Sequence, residues 1–280
     1  MRKIPKPVDE AKQVFIETIS RIQNANLKAR LSAVDHLVEA ASNEFELAAS
    51  NASLHSIPSH DTIGGTVSGE EMIAVYTGRM AKKDTPGRPF YDRLMAAPAH
   101  GRCPLCGQGI VSTLDHHLPK TSHPTLAVAP LNLIPACTDC NKTKLASVPT
   151  RADEETLHPY FDEVDDEVWL AAEVLEGSPA ALRFHVIESP NWSDLKNSRV
   201  KAHFKSFGLA RLYASYAGGE LVNLRFGLSE VFDQAGAAAV RLQLQASVRT
   251  HKAVHLNSWQ AAMFSALADS RWFYTGGFRY

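Results

Sequence analysis

The chain has no cysteine outside two Cys-x-x-Cys pairs, Cys103-Pro-Leu-Cys106 and Cys137-Thr-Asp-Cys140. None is left for a disulfide framework elsewhere. Where thiols stay reduced, four of them at this spacing read as ligands of zinc rather than as bridges. No apolar run is long enough to cross a bilayer, and Met1-Arg2-Lys3-Ile4-Pro5 lacks the apolar stretch of a signal peptide. A cytoplasmic protein with no membrane partner is therefore the expectation. Basic residues are not in excess: 29 Lys and Arg stand against 30 Asp and Glu, a formal net charge of −1. Unaided nucleic-acid binders draw most of their non-specific affinity from such an excess, so any such contact here must use a local patch or a partner. There is no internal repeat and no low-complexity tract.

What is present is enough apolar material to bury a substantial core. With 280 residues, 45% of them hydrophobic, one or two domains are expected. From Asp9 to Ala49, apolar residues such as Val14, Ile19, Leu31, Leu37 and Phe45 recur at three- and four-residue steps, the period of amphipathic helices. Residues 50–69 read as a loop, Glu70 to Met80 as a short helix, and Lys82 to Arg88 as a basic turn, either solvated or in contact with nucleic acid. Between 89 and 150 the pattern is strand, loop, strand, helix. The strands are Gly109 to Leu114 and Thr125 to Ala129, and the helix is Cys140 to Ala146. Residues 153–167 carry eight carboxylates and no Lys or Arg, which suits a solvated connector, or else a screen over an active site. Ala181 to Glu188 alternates as a strand, and helical periodicity returns from Ser193 onward. The regions expected are 1–88 helical, 89–150 a small core, 151–192 an acidic connector with a short strand, and 193–280 helical.

The two Cys pairs bracket Leu114-Asp115-His116-His117-Leu118-Pro119-Lys120, and Asn141 follows Cys140 directly. Four thiolates suit a closed tetrahedral Zn²⁺ site. Asp115 and Asn141 offer hard oxygens of the kind Mg²⁺ prefers, with a histidine beside one of them. An imidazole can take a proton from water near neutral pH.

Leu114-Asp115-His116-His117-Leu118-Pro119, together with Asn132-Leu133-Ile134-Pro135-Ala136-Cys137-Thr138-Asp139-Cys140-Asn141-Lys142-Thr143-Lys144, resembles the HNH endonuclease family. The resemblance covers roughly residues 103–144. It implies an α+β, mainly α, chain in which a small ββα-metal core, clamped by structural zinc, is flanked by N- and C-terminal helical segments. The activity it implies is metal-dependent hydrolysis of phosphodiester bonds in DNA. Position by position, it implies His116 as general base, Asp115 and Asn141 as ligands of a catalytic Mg²⁺ or Mn²⁺, and Asn132 as the group that fixes the loop carrying His116. Lys144 falls where a cation could contact phosphate, and equally where a solvated lysine could sit. His117 stands where many relatives carry an apolar residue. It is open to three readings: a packed histidine, a contact near the metal, or the base itself in a shifted register. His123, His158 and His185 read as structural, with His158 the first exception to consider because of Thr156-Leu157-His158-Pro159-Tyr160-Phe161. The near-neutral charge and long helical flanks suggest recruitment by a partner, such as an ATPase of a prokaryotic anti-phage defence system, and a homo-oligomer would ease two cuts on a duplex. The rival reading is a zinc-binding adaptor for nucleic acid or protein, without turnover.

Overall fold

The computed structural model describes residues 1–144 and 148–279, and the chain is α+β, mainly α, with small two-stranded sheets. It divides into two compact units, Met1–Glu163 and Val164–Tyr280.

In the first unit, helices α1 (Ala11–Ile19), α2 (Ala25–Ala33) and α3 (Asp35–Ser50) follow the apolar periodicity of the sequence. The stretch expected to be a loop contains a small hairpin, β1 (Thr62–Ile63) with β2 (Val67–Ser68). Gly64 and Gly65 turn it with φ of 56° and 66°, a region costly for residues with a Cβ. Helix α4 (Gly69–Val75) runs into a π-helical turn, Tyr76–Met80, and α5 (Arg88–Ala96) follows. Next come β3 (Thr113–His116), β4 (Leu133–Ala136) and α6 (Thr138–Lys144). β3 and β4 are antiparallel, with Leu114 opposite Pro135 and Asp115 opposite Ile134.

Two expected boundaries move. Residues 1–88 and 89–150 do not have separate cores, because one cluster joins Val14, Phe15, Leu31, Phe45 and Met72 to Leu114, Leu118 and Leu133. Amphipathic helices must cover their apolar faces, and a sheet of two short strands needs that cover as much as they do. Each fully buried Phe, Leu or Met contributes on the order of 1.5–3 kcal/mol. The acidic stretch is no plain connector either. Glu155, Leu157, His158 and Tyr160 are buried in the first unit, and the Tyr160 hydroxyl donates to the Leu133 carbonyl at 2.8 Å.

The second unit pairs β5 (Leu170–Leu175) with β6 (Ala181–Val186) in an antiparallel hairpin. Helices α7 (Asp194–Ser206), α8 (Leu209–Val254), α9 (Trp259–Asp269) and α10 (Arg271–Tyr274) complete it. α8 packs on β6 and α9 on β5, so the expected division at 192/193 cuts through one body. Gly236, at φ 72°, breaks α8. Asn257 fastens the start of β5: its Oδ1 accepts from Trp169 and Leu170 N–H at 2.8 and 3.2 Å, and its Nδ2 donates to the Glu167 carbonyl. No described helix is long and apolar enough to cross a membrane.

The entry to α4 is held by charge. Ser68 caps the helix while the Glu71 carboxylate accepts from the Ser68 N–H, and Arg30 meets Glu71 through two hydrogen bonds of 2.8 and 2.6 Å. Arg30 first, and the Ser68 N–H second, hold the Glu71 carboxyl down at about 2. A carboxyl whose folded value is depressed adds stability above its ordinary value of 4.5, and loses it as pH falls toward 2. Glu71→Gln should therefore destabilise the protein at pH 7 and progressively less as pH falls through that window. Urea unfolding at pH 7 and pH 3 checks this, and an equal difference at both would refute it.

Candidate metal centre and adjoining polar site

Cys103, Cys106, Cys137 and Cys140 are all buried, and their four Sγ atoms lie within 4.8 Å of one another. Cys106 Sγ and Cys137 Sγ are 3.9 Å apart. Tetrahedral Zn–S bonds of about 2.3 Å imply sulfur separations of about 3.8 Å, so the donor set and its spacing fit structural zinc. Backbone amides already point at the sulfurs. Gly109 N–H donates to Cys106 Sγ at 3.3 Å and Cys140 N–H to Cys137 Sγ at 3.5 Å. Gly107 turns the first pair with φ 70°. Gly109 allows the two pairs to close, since a Cβ there would fall 2.6 Å from both Cys137 Cβ and Sγ. The segment Gly109–Ile110, expected in a strand, thus serves the cysteine loop, and a single bridge joins Ile110 to Arg102.

The second pair opens α6, which carries Asn141 and Lys144 toward β3. Lys144 spends its three N–H bonds on the protein: Asp115 Oδ2 at 2.9 Å, His116 O at 3.0 Å and His117 O at 2.7 Å. The pair is nearly sealed, its side chains 8% and 9% exposed. Lys144 is therefore not a solvated lysine; it holds the end of β3. Asp115 Oδ1 has no hydrogen bond among the described residues. Asn141 lies one turn before Lys144 on the same helix face, is half-buried, and its amide is likewise unbonded there.

His116 ends β3, buried, with Nε2 2.9 Å from the Ala127 carbonyl oxygen. That contact requires a proton on Nε2, which leaves Nδ1 as the acceptor in the neutral ring. Burial first, then the Lys120 ammonium, pulls the imidazole down to about 3, so it is neutral at pH 7. Tyr76 meets it edge-on, ring centres 4.4 Å apart. Asn132 is fully buried and pins the loop beyond His116 from both sides. Its Oδ1 accepts from Leu118 N–H at 2.7 Å, and its Nδ2 donates to the Leu118 and Leu126 carbonyls at 3.0 and 3.2 Å.

The expected second strand is elsewhere. Thr125 to Ala129, between Pro124 and Pro130, includes the 3₁₀ turn Pro124–Leu126, and the returning strand is β4. A short apolar run signals burial without saying which backbone is buried. Here that backbone serves the site, through the Leu126 and Ala127 carbonyls. β4 tolerates Pro135 because a two-stranded sheet leaves one edge unpaired. Of the expected helix Cys140 to Ala146, Leu145 and Ala146 lie outside the described residues.

The remaining histidines are packed. The His117 ring lies 4.4 Å from that of His158 and edge-on to Phe45. His158 uses both ring nitrogens on backbone: Nε2 is 3.1 Å from Leu131 O, and Nδ1 accepts from Tyr160 N–H at 3.2 Å. His123 Nε2 faces Ile57 O at 3.3 Å. Sequence reasoning missed Tyr76, the Ala127 carbonyl and Gly109, none of which carries a local signal. It also passed over Lys120, a cation one residue beyond the motif's proline.

No family model and no solved structure matches the chain. It is similar to Protein ea31 of Escherichia phage lambda, at 29% identity with 79% of each chain covered.

Purified protein should carry one zinc per chain by metal analysis, and Gly109→Ala should lose most of it; full occupancy in that variant would contradict the packing argument. Asn132→Ala strands the Leu118 carbonyl and N–H in the interior, at about 1–3 kcal/mol each, while the Leu126 carbonyl keeps the Ala129 N–H. A loss of about 2 kcal/mol or more is expected in urea unfolding, and a change below about 1 would show the loop to be held otherwise.

Proposed function

We propose that this chain is a metal-dependent phosphodiester hydrolase of the HNH type acting on DNA, its core formed by β3, β4 and α6. The observation that carries the reading is His116, fixed through Nε2 on the Ala127 carbonyl with Nδ1 left as proton acceptor, directly after Asp115, whose carboxylate meets the helix that bears Asn141. Asp115 Oδ1 and the Asn141 amide oxygen are hard donors without other bonds, and they fit Mg²⁺ or Mn²⁺, which when bound supplies charge stabilisation to phosphate oxygens. His116 accepts the proton of the attacking water at Nδ1. Held down to about 3 by burial and then the Lys120 charge, it is a weak base, and an anionic phosphodiester beside it raises it by opposing that charge. Asn132 keeps the ring aimed by holding Leu118. Lys144 sets the height of Asp115 against α6.

A second reading, a zinc-binding adaptor without turnover, is favoured by the same Lys144, which occupies Asp115 Oδ2. The recruiting ATPase and the anti-phage setting rest on the resemblance and the near-neutral charge alone.

The test is plasmid cleavage with Mg²⁺ or Mn²⁺. His116→Ala should keep its zinc and circular dichroism spectrum and lose activity at least about 100-fold, the usual share of a general base. Equal cutting would remove His116 from the mechanism. Zinc-loaded protein that binds no Mn²⁺ by calorimetry would decide for the adaptor.

A further inference from the structure

We propose that Lys120 binds the phosphate backbone of the nucleic acid next to His116, a role that rests on the phosphodiester reading above. Two lysines flank the His116 loop, and their situations are opposite. Lys144 is buried with all three N–H bonds committed. Lys120 is partly exposed and has neither a carboxylate partner nor a hydrogen bond among the described residues. Its ammonium lies over the Tyr76 ring, whose centre is 5.4 Å from Nζ. A cation–π contact at a partly exposed site is worth only about 0.5–1 kcal/mol, so an anion can draw the ammonium away from it.

The Tyr76 ring is also the one that meets His116, so His116 and Lys120 converge on the same aromatic side chain. Tyr76 is itself held: it is buried, opens the π-helical turn Tyr76–Met80, and its hydroxyl is 3.5 Å from the Leu114 carbonyl. The backbone under Lys120 is equally fixed. Asn132 holds Leu118 by N–H and carbonyl, Pro119 restricts the next φ, and the Pro119 carbonyl accepts from Ser122 and His123 N–H at 3.0 and 2.9 Å. A fixed base beside a tethered, unpaired cation suits a phosphodiester, which brings one negative charge and two non-bridging oxygens. The local positive charge that the chain lacks overall is thus present at this point.

The experiment uses the full zinc-loaded chain with His116→Ala, which removes turnover, and measures binding to duplex and single-stranded DNA by fluorescence anisotropy across a salt series. Losing one phosphate contact lowers the slope of log K against log salt by about 0.9 for duplex or about 0.7 for single strands. Lys120→Gln in this background should show that loss, and Lys120→Arg should retain the parental slope. An unchanged slope in Lys120→Gln, with binding intact, overturns the Lys120 assignment and leaves the hydrolase reading standing. A parent that neither binds nor cuts DNA overturns both.

Discussion

The described part of helix α6, Thr138–Lys144, is about two turns, a length marginal in water by itself. Its persistence depends on being tied at both ends. At the N-terminal end, Cys137 and Cys140 join Cys103 and Cys106 in a knot of four sulfurs. At the C-terminal end, the Lys144 ammonium meets the Asp115 carboxylate and two carbonyls of the following loop. The first tie connects α6 to a segment some thirty residues earlier in the chain, and the second connects it to β3. Asn141 is placed by that double attachment, because it lies between the two ties.

A buried ion pair adds little net stability when compared with good apolar packing, but removing one partner strands a charge and is costly. The Asp115–Lys144 pair therefore acts more as a register mark than as a source of stability: it sets how far α6 can slide along β3. Asn132 does similar work for the loop after His116 with neutral groups. Together they leave a small number of polar atoms uncommitted: Asp115 Oδ1, the Asn141 amide, His116 Nδ1 and Lys120 Nζ.

The helical flanks of the first unit are part of this arrangement rather than appendages. Phe45 of α3 lies against His117 and His158, and Tyr76, past α4, lies against His116. Residues from far along the chain thus form the walls of a loop that reads, in sequence, as a short isolated motif. The acidic stretch contributes as well: Glu155, fully buried, accepts from both the backbone N–H and the Nδ1 of His55.

The legible parts were those governed by local rules. Amphipathic period marked α1 to α3 and the C-terminal helices, cysteine spacing marked the sulfur knot, and the order strand–strand–helix followed from the motif. The boundaries failed where an apolar run could belong to more than one backbone. Thr125 to Ala129 is as apolar as a strand, yet flanking prolines and the demands of His116 and Asn132 make it a buried turn. Lys144 was illegible for another reason: nothing in a one-dimensional string says that its ammonium reaches Asp115, twenty-nine positions away.

By itself, then, the amino-acid order determined which elements form and which chemical groups are available, since propensity and donor type are properties of short stretches. The tertiary structure alone decided which groups are spent and which remain open. That distinction separates Lys144 from Lys120 and His158 from His116, and it arises only when packing brings distant partners within hydrogen-bond reach and shuts out the water that would otherwise satisfy them.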